Sequence, residues 1–402
     1  MAEAATDSPH TPVEHAATTD GARIAITRRP APGTPVIFLH GIAVHGGIWN
    51  LPDVKGDDFE YRSLSTVLHE AGYDIWLANF RGQGADPAYS DPAPDQADWF
   101  VDHFIVYDLP AIVEHVTIKT GRKPFIIASS MGALVLGGYL QGAILSNDDS
   151  PHIVANPDLA RSRQAALAGC VFAEYPAVLR WPRSLYGADG DLNWRTLLQD
   201  MFKHEPEYNY PFEALSRWSW LEAILTGAGH VPLDWLRSGK TGLRKLKLPK
   251  FATEALEKAE RAALEAFLKV AGKMNGSSNQ RVEVIIEGRR RALDRIKSGV
   301  LKQLSKSIRA RSFVSVLGSR DHDYAAHYSL ITSPLVVVIG GRDRIANAEM
   351  TREGFFEVVE SSDKEFWLFD EIGHGELTAA PLSCEKVYPR ILEWINLRNT
   401  GK

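Results

Sequence analysis

The chain has 402 residues, of which 45% are hydrophobic and 24% charged, with a net charge of −5. Those are the proportions of a soluble globular protein, long enough for a main domain plus a large insertion. The negative balance argues against nucleic acid as the main partner, because a polyanion calls for a basic surface. Two cysteines, Cys170 and Cys384, are too few for a disulfide framework or a thiolate zinc site, and free thiols in a reducing compartment are expected. No stretch approaches the ~18 apolar residues of a membrane span. Residues 1–20 are Pro/Thr/Ala-rich and lack an apolar signal core, so they read as a flexible leader and the expected location is the cytoplasm.

Ala22–Thr27 alternates like an edge strand, and Pro30–Pro35 is a turn. Val36-Ile37-Phe38-Leu39 is a continuous apolar run, the signature of a strand covered on both faces, and it ends in His40-Gly41-Ile42. A helix over Tyr61–Ala71 stops at Gly72, and the strand Tyr73–Ala78 follows. A Pro/Asp/Gly-rich loop leads to a helix over Trp99–Thr120, interrupted at Pro110. Strand and helix patterns alternating in this way predict βαβ units and a mostly parallel sheet with helices on both faces.

The next strand carries the densest signal. Phe125-Ile126-Ile127-Ala128 runs into Ser129-Ser130-Met131-Gly132-Ala133 and then a small-residue helix. A serine exposed on a strained strand-to-helix turn needs small residues two places before and after it, where backbones crowd. Ser130 has Ala128 and Gly132 there, whereas Ser129 has the larger Ile127 and Met131. Ser130 is therefore the candidate nucleophile.

Ala166–Phe172 is the following strand, after which the sheet pattern stops until Pro334–Gly340. A helix near Thr351–Val359, a strand Glu365–Phe369 and a helix Glu385–Leu397 close the chain. The domain reading is thus a leader (1–20), a first core segment (21–176), a mainly helical cap or lid insertion (177–330) and a second core segment (331–402). Half of the ten tryptophans fall within 181–235, and residues 240–311 hold 19 Lys and Arg against 7 Asp and Glu. Two amphipathic helices are predicted there, one with Leu256, Ala259, Ala263, Phe267 and Val270 on a face, the other with Leu293, Ile296, Val300, Leu304 and Ile308. Their apolar faces are expected to pack on the core with the charges solvated. The alternative is a lid that meets a membrane, a lipid surface or an acidic partner.

A serine hydroxyl needs a histidine base, and the histidine an acid to orient it. Asp343 follows the buried run Val338-Ile339 through Gly340-Gly341-Arg342, and His374 follows the last strand within Gly373-His374-Gly375. Both stand after strand ends, in the order serine, acid, histidine. Asp323 and Asp370 are rival acids, but the first precedes its strand and the second lies close to His374 in sequence. A developing oxyanion needs two backbone donors, for which Ile42 and Met131 are the candidates. His40 and His45 are read as structural. Asp321-His322-Asp323 with His327 has the residue types of a metal site but no second cluster to complete it. No phosphate loop or dinucleotide fingerprint is present, so no cofactor is expected.

With these residues in place the chain resembles the α/β-hydrolase superfamily, and within it the acid-lipase group of gastric and lysosomal lipases. The resemblance rests on His40-Gly41-Ile42, on Gly72-Tyr73-Asp74-Ile75-Trp76 with Arg81-Gly82, on Tyr107-Asp108-Leu109-Pro110-Ala111, and on the serine turn, Asp343 and His374. It covers residues 21–145 and 334–376 and leaves the insertion unmatched. It implies an α/β-hydrolase fold with a cap over the site, small-molecule or lipid-like carboxylic esters as substrates, and no cofactor. Members of that group are usually secreted or lysosomal, and this chain departs from them in its leader and its basic insertion. The expected function is ester hydrolysis through an acyl-enzyme on Ser130. Acyl transfer or thioester cleavage on the same intermediate, and ligand binding without catalysis, are the alternatives.

Overall fold

The computed structural model describes residues 12–179, 279–343 and 345–399. Its centre is one eight-stranded sheet. The strands are β1 (Val13–Ala17), β2 (Arg23–Arg29), β3 (Pro35–Leu39), β4 (Asp74–Ala78), β5 (Phe125–Ser129), β6 (Gly169–Ala173), β7 (Leu335–Gly340) and β8 (Lys364–Phe369). They lie in the order β1-β2-β4-β3-β5-β6-β7-β8. β2 runs antiparallel to β1 and β4, and every pairing from β4 across to β8 is parallel. The carboxyl ends of the last six strands in that order therefore share one edge of the sheet, where ligands of open α/β sheets bind.

The continuous apolar runs are divided by the two-residue period of a strand. Ile37, Leu39, Ile126, Ala128, Phe172, Val337 and Ile339 enter one core, beneath the helices α2 (Leu109–Thr120) and α3 (Met131–Leu140). Val36, Phe38, Ile127, Val171, Val336 and Val338 enter the other, with α1 (Leu64–Glu70) and the final helix α6 (Tyr388–Arg398). Each strand is thus buried on both faces, which is why its sequence shows no alternation.

Three expectations are corrected. The leader assigned to residues 1–20 is not all leader, because Val13–Ala17 is the sheet's edge strand β1, and β2 is interior rather than edge. Val-Glu-His-Ala-Ala carries little hydrophobic signal; backbone pairing to β2 and the contacts of Glu14 with Arg28 and His115 hold it. Second, Pro110 does not interrupt its helix. Val101–His103 and α2 are joined by a π turn over Phe104–Asp108, in which the Leu109 N–H donates to the Phe104 carbonyl. The wider turn makes room for the proline ring, which would otherwise press on the carbonyl four residues back. Third, the helix expected to present Leu293 and Ile296 starts later, as α5 (Ser298–Ala310), and Leu293 instead bridges Val44.

Two stretches on which the resemblance rested meet in a buried ion pair. Arg81 after β4 donates from Nε to Asp108 Oδ1 at 2.8 Å and from its backbone N–H to Oδ2 at 3.0 Å, and Asp20 takes a second side of the guanidinium. Neither Arg81 nor Asp108 is exposed.

Of the insertion, residues 177–179 and 279–330 are described. α4 (Val282–Arg291) and α5 lie against the core, with Val300, Leu304 and Ile308 buried. Several of their charges are answered by acids, in the pairs Arg281–Asp58, Arg291–Glu287 and Lys302–Asp98. Packing on the core with paired charges is the arrangement seen here. The tryptophans of 181–235, the helix of 256–270 and the basic residues up to 278 lie outside the described residues. Among the described residues no helix is long and apolar enough to cross a membrane.

Candidate active site

Ser130 stands between β5 and α3 with φ 53° and ψ −115°, a left-handed backbone that a non-glycine residue adopts at a cost. Two contacts hold it there: its N–H donates to the Ala173 carbonyl on β6, and its carbonyl accepts from Ala133 in the first turn of α3. The requirement for small neighbours is met literally. A Cβ on Gly132 would stand 2.7 Å from the His40 carbonyl oxygen, and one on Gly41 would stand 3.2 Å from Ser130 Cβ.

The register chosen for the serine decides where each hydroxyl points. Ser130 Oγ lies 3.1 Å from His374 Nε2, and His374 Nδ1 lies 2.8 Å from Asp343 Oδ2. Ser129 Oγ turns the other way and donates to Glu174 Oε2 at 3.0 Å. Asp343 is itself held, because its Oδ1 accepts from the Ile345 and Ala346 N–H groups at 2.8 and 2.7 Å. The His374 loop is pinned by Glu376, whose Oε2 accepts from the Gly373 N–H, and it turns through Gly375 at φ 80°. Of the two glycines flanking His374, only Gly375 takes the left-handed conformation. The structure thus brings together Ser130, His374 and Asp343 from the ends of three parallel strands. The rivals are elsewhere: Asp370 is exposed, and Asp323 is exposed and accepts from the Ala325 N–H.

Burial lowers the pKa of His374, but the charge and hydrogen bond of Asp343, with a smaller contribution from Glu174, more than reverse this and raise it to about 9. The imidazolium is the favoured partner of a buried carboxylate.

The two expected backbone donors flank Ser130. Met131 is the first residue of α3, so its N–H has no intrahelical acceptor, and Ile42 follows Gly41 above Ser130. Neither N–H is taken by an acceptor among the described residues. His40 has a structural place beside them: its Nδ1 is 2.8 Å from the Gly41 carbonyl and its Nε2 accepts from the Phe80 N–H. Burial drives its pKa down to about 3, so it is a neutral ring with the proton on Nδ1. Holding the Gly41 carbonyl fixes the peptide plane whose other end is the Ile42 N–H. His45 caps the turn after this loop by accepting from Gly47.

The insertion reaches the same edge. The Asp294 N–H donates to the Ala43 carbonyl, the His45 N–H to Ala292, and Asp294 Oδ2 accepts from the Gly84 N–H. Asn279 donates to Glu376 and to the Glu371 carbonyl, so the insertion also abuts the His374 loop. Sequence reasoning missed Glu174 and Glu376. The signal for Glu174 was a single acid closing the apolar strand Gly169–Ala173; Glu376 sits two residues beyond His374 with nothing in the pattern to mark it. As for a metal, His322 stacks on His327 with ring centroids 4.8 Å apart, and no group of three such side chains converges among the described residues.

An eight-stranded, mostly parallel sheet with a serine turn after β5, an acid after β7 and a histidine after β8 defines a class of α/β protein. The sequence model of the alpha/beta hydrolase family matches residues 36–375, and the chain belongs to that family. It is similar to triacylglycerol lipase 2 of Arabidopsis thaliana, 27% identical over 156 residues that make up 37% of this chain and 36% of that protein. It is also similar to the tear acid lipase-like protein of Mesocricetus auratus, 34% identical over 140 residues, 31% of this chain and 33% of that protein. The acid-lipase resemblance is thus found again, over a part of the chain: the matches span about a third of the length of these curated relatives. A solved thermophilic esterase from Thermogutta terrifontis aligns over 97% of this chain and 100% of its own, at 16% identity and a TM-score of 0.49.

Proposed function

We propose that this chain hydrolyses carboxylic esters through an acyl-enzyme on Ser130. The observation that carries the reading is the hydrogen-bonded chain from Ser130 Oγ through His374 to Asp343, beside two backbone N–H groups that have no acceptor among the described residues. Ser130 Oγ attacks the ester carbonyl while His374 Nε2 takes its proton. The oxyanion is received by the N–H groups of Ile42 and Met131. His374 returns the proton to the leaving alcohol, then takes one from water, which attacks the acyl carbon and frees Ser130. Asp343 holds His374 with Nδ1 protonated and stabilises the imidazolium. Family membership and the similarity to proteins named as lipases support the ester class of substrate. No step calls for a cofactor. A reducing, cytoplasmic setting is part of the same reading, on the two free thiols Cys170 and Cys384.

The test is hydrolysis of p-nitrophenyl esters from short to long acyl chains, by the full chain and by Ser130→Ala. Turnover that disappears in Ser130→Ala, with the parent alone labelled by a fluorophosphonate, is the expected result. Its chain-length maximum then separates an esterase from a lipase. Equal rates in the two proteins at every length would remove the reading.

A further inference from the structure

Glu174 is a charged residue in a place that punishes charge. It closes β6 immediately after Ala173, which lies in register with Ser129, and it is 1% exposed. Its φ of 51° is left-handed, a conformation glycine would adopt freely. A carboxylate taken from water costs several kcal/mol unless partners replace the lost hydration. Two hydrogen bonds do so in part. Oε2 accepts from Ser129 Oγ at 3.0 Å, and Oε1 accepts from the Leu377 N–H at 2.9 Å. Both donors are neutral. One belongs to the residue before the candidate nucleophile, the other to the residue three places after the candidate base.

The ionisable groups around it come from three elements. His374 on its loop attracts the carboxylate, Asp343 after β7 repels it, and Tyr388 on α6 senses its charge. Burial pushes the Glu174 carboxyl up to about 7, with His374 pulling the other way. An uncharged side chain would bind the same space at lower cost, so the distinctive contribution of a carboxyl here is its charge and its two-armed reach.

We propose that Glu174 is a positioning residue of this site, tying the turn that carries Ser130 to the loop that carries His374 and supplying a second negative charge behind the imidazole. The proposal rests on the ester-hydrolase reading of Ser130, His374 and Asp343. Asp343 fixes the ring from Nδ1. Glu174 fixes the two backbones relative to each other, and once ionised it strengthens His374 as a base. As the pH falls through the Glu174 ionisation that second charge is lost, and the basicity it lends to His374 goes with it.

The experiment is the pH profile of kcat and KM for parent and Glu174→Gln, with thermal unfolding of both. The glutamine keeps the shape and one acceptor oxygen but carries no charge. Expected are a limiting kcat on the plateau above the acid limb about 3- to 10-fold lower with KM unchanged, and an acid limb moved down by about half to one pH unit. A parent-like limb and kcat in Glu174→Gln would overturn the proposal whatever happens to its Tm, because a merely structural role moves Tm alone. Should the variant fail to fold, the downfield Nδ1–H resonance of His374 is titrated in the parent. A two-step titration supports the coupling, and a single step overturns it. Loss of Ser130-dependent turnover in the parent would instead indict the ester reading, so the two failures are distinguishable.

Discussion

Replacing Asp343 by asparagine isolates the role of the acid, and the structure dictates how the amide must sit. Oδ1 accepts from two backbone N–H groups, those of Ile345 and Ala346, while among the described residues Oδ2 faces His374 Nδ1. Asparagine has one carbonyl oxygen. Turning its NH2 towards the backbone would oppose donor to donor twice; turning it towards the histidine does so once. The oxygen therefore stays on the backbone side and the NH2 meets Nδ1. That nitrogen must then be an acceptor, so the ring proton moves to Nε2, 3.1 Å from Ser130 Oγ. Such a histidine cannot take the serine proton. The expected loss is about 10⁴-fold in kcat, the size of a wrong-tautomer defect, or roughly 5 kcal/mol of barrier. Both backbone hydrogen bonds survive, so the Tm is expected within a few degrees of the parent. The assay is steady-state hydrolysis of the best p-nitrophenyl ester, with Asp370→Asn as the exposed-acid control. An Asp343→Asn rate within tenfold of the parent, or a comparable loss in Asp370→Asn, would refute the reasoning.

Four further outcomes are expected. With the His374 pKa raised to about 9, kcat/KM should rise with pH between about 7 and 9 as the ring loses its proton. The stability contributed by the His374–Asp343 pair has the opposite sense: it is complete below the ordinary histidine value of 6.5 and fades as pH climbs through about 9, which denaturant melts at pH 6 and pH 10 check. Gly132→Ala would place a Cβ 2.7 Å from the His40 carbonyl oxygen and 2.9 Å from that of Leu39, both backbone atoms that must yield. A destabilisation of about 1–3 kcal/mol in urea unfolding and loss of fluorophosphonate labelling at Ser130 should follow. Asp102→Ala removes a buried carboxyl that accepts from Gln303, Tyr324 and the N–H groups of Val316 and Leu317. Stranding these donors should cost about 3 kcal/mol or more, lowering the Tm by roughly 3–5 °C in calorimetry.

What the amino-acid order determined by itself were features with a local physical cause. Apolar runs such as Val36–Leu39 and Phe125–Ala128 mark strands covered on both faces, because a strand's needs are written in its own side chains. The choice of Ser130 over Ser129 followed from crowding at neighbouring positions, and the places of Asp343 and His374 followed from strand ends. The tertiary structure alone decided what depends on distant partners. β1 exists because β2 offers it backbone hydrogen bonds, which any side chains permit. The helix passes Pro110 because a π turn absorbs the ring, and Asp108 at that turn is held by Arg81 from another loop. Glu174 is a lone acid in the sequence; its meaning comes from Ser129 and Leu377, 45 and 203 residues away, meeting at one point. Periodicity reports the surroundings of a residue one turn or one pleat away, whereas a buried carboxyl is explained by whichever donors the folded sheet brings to it.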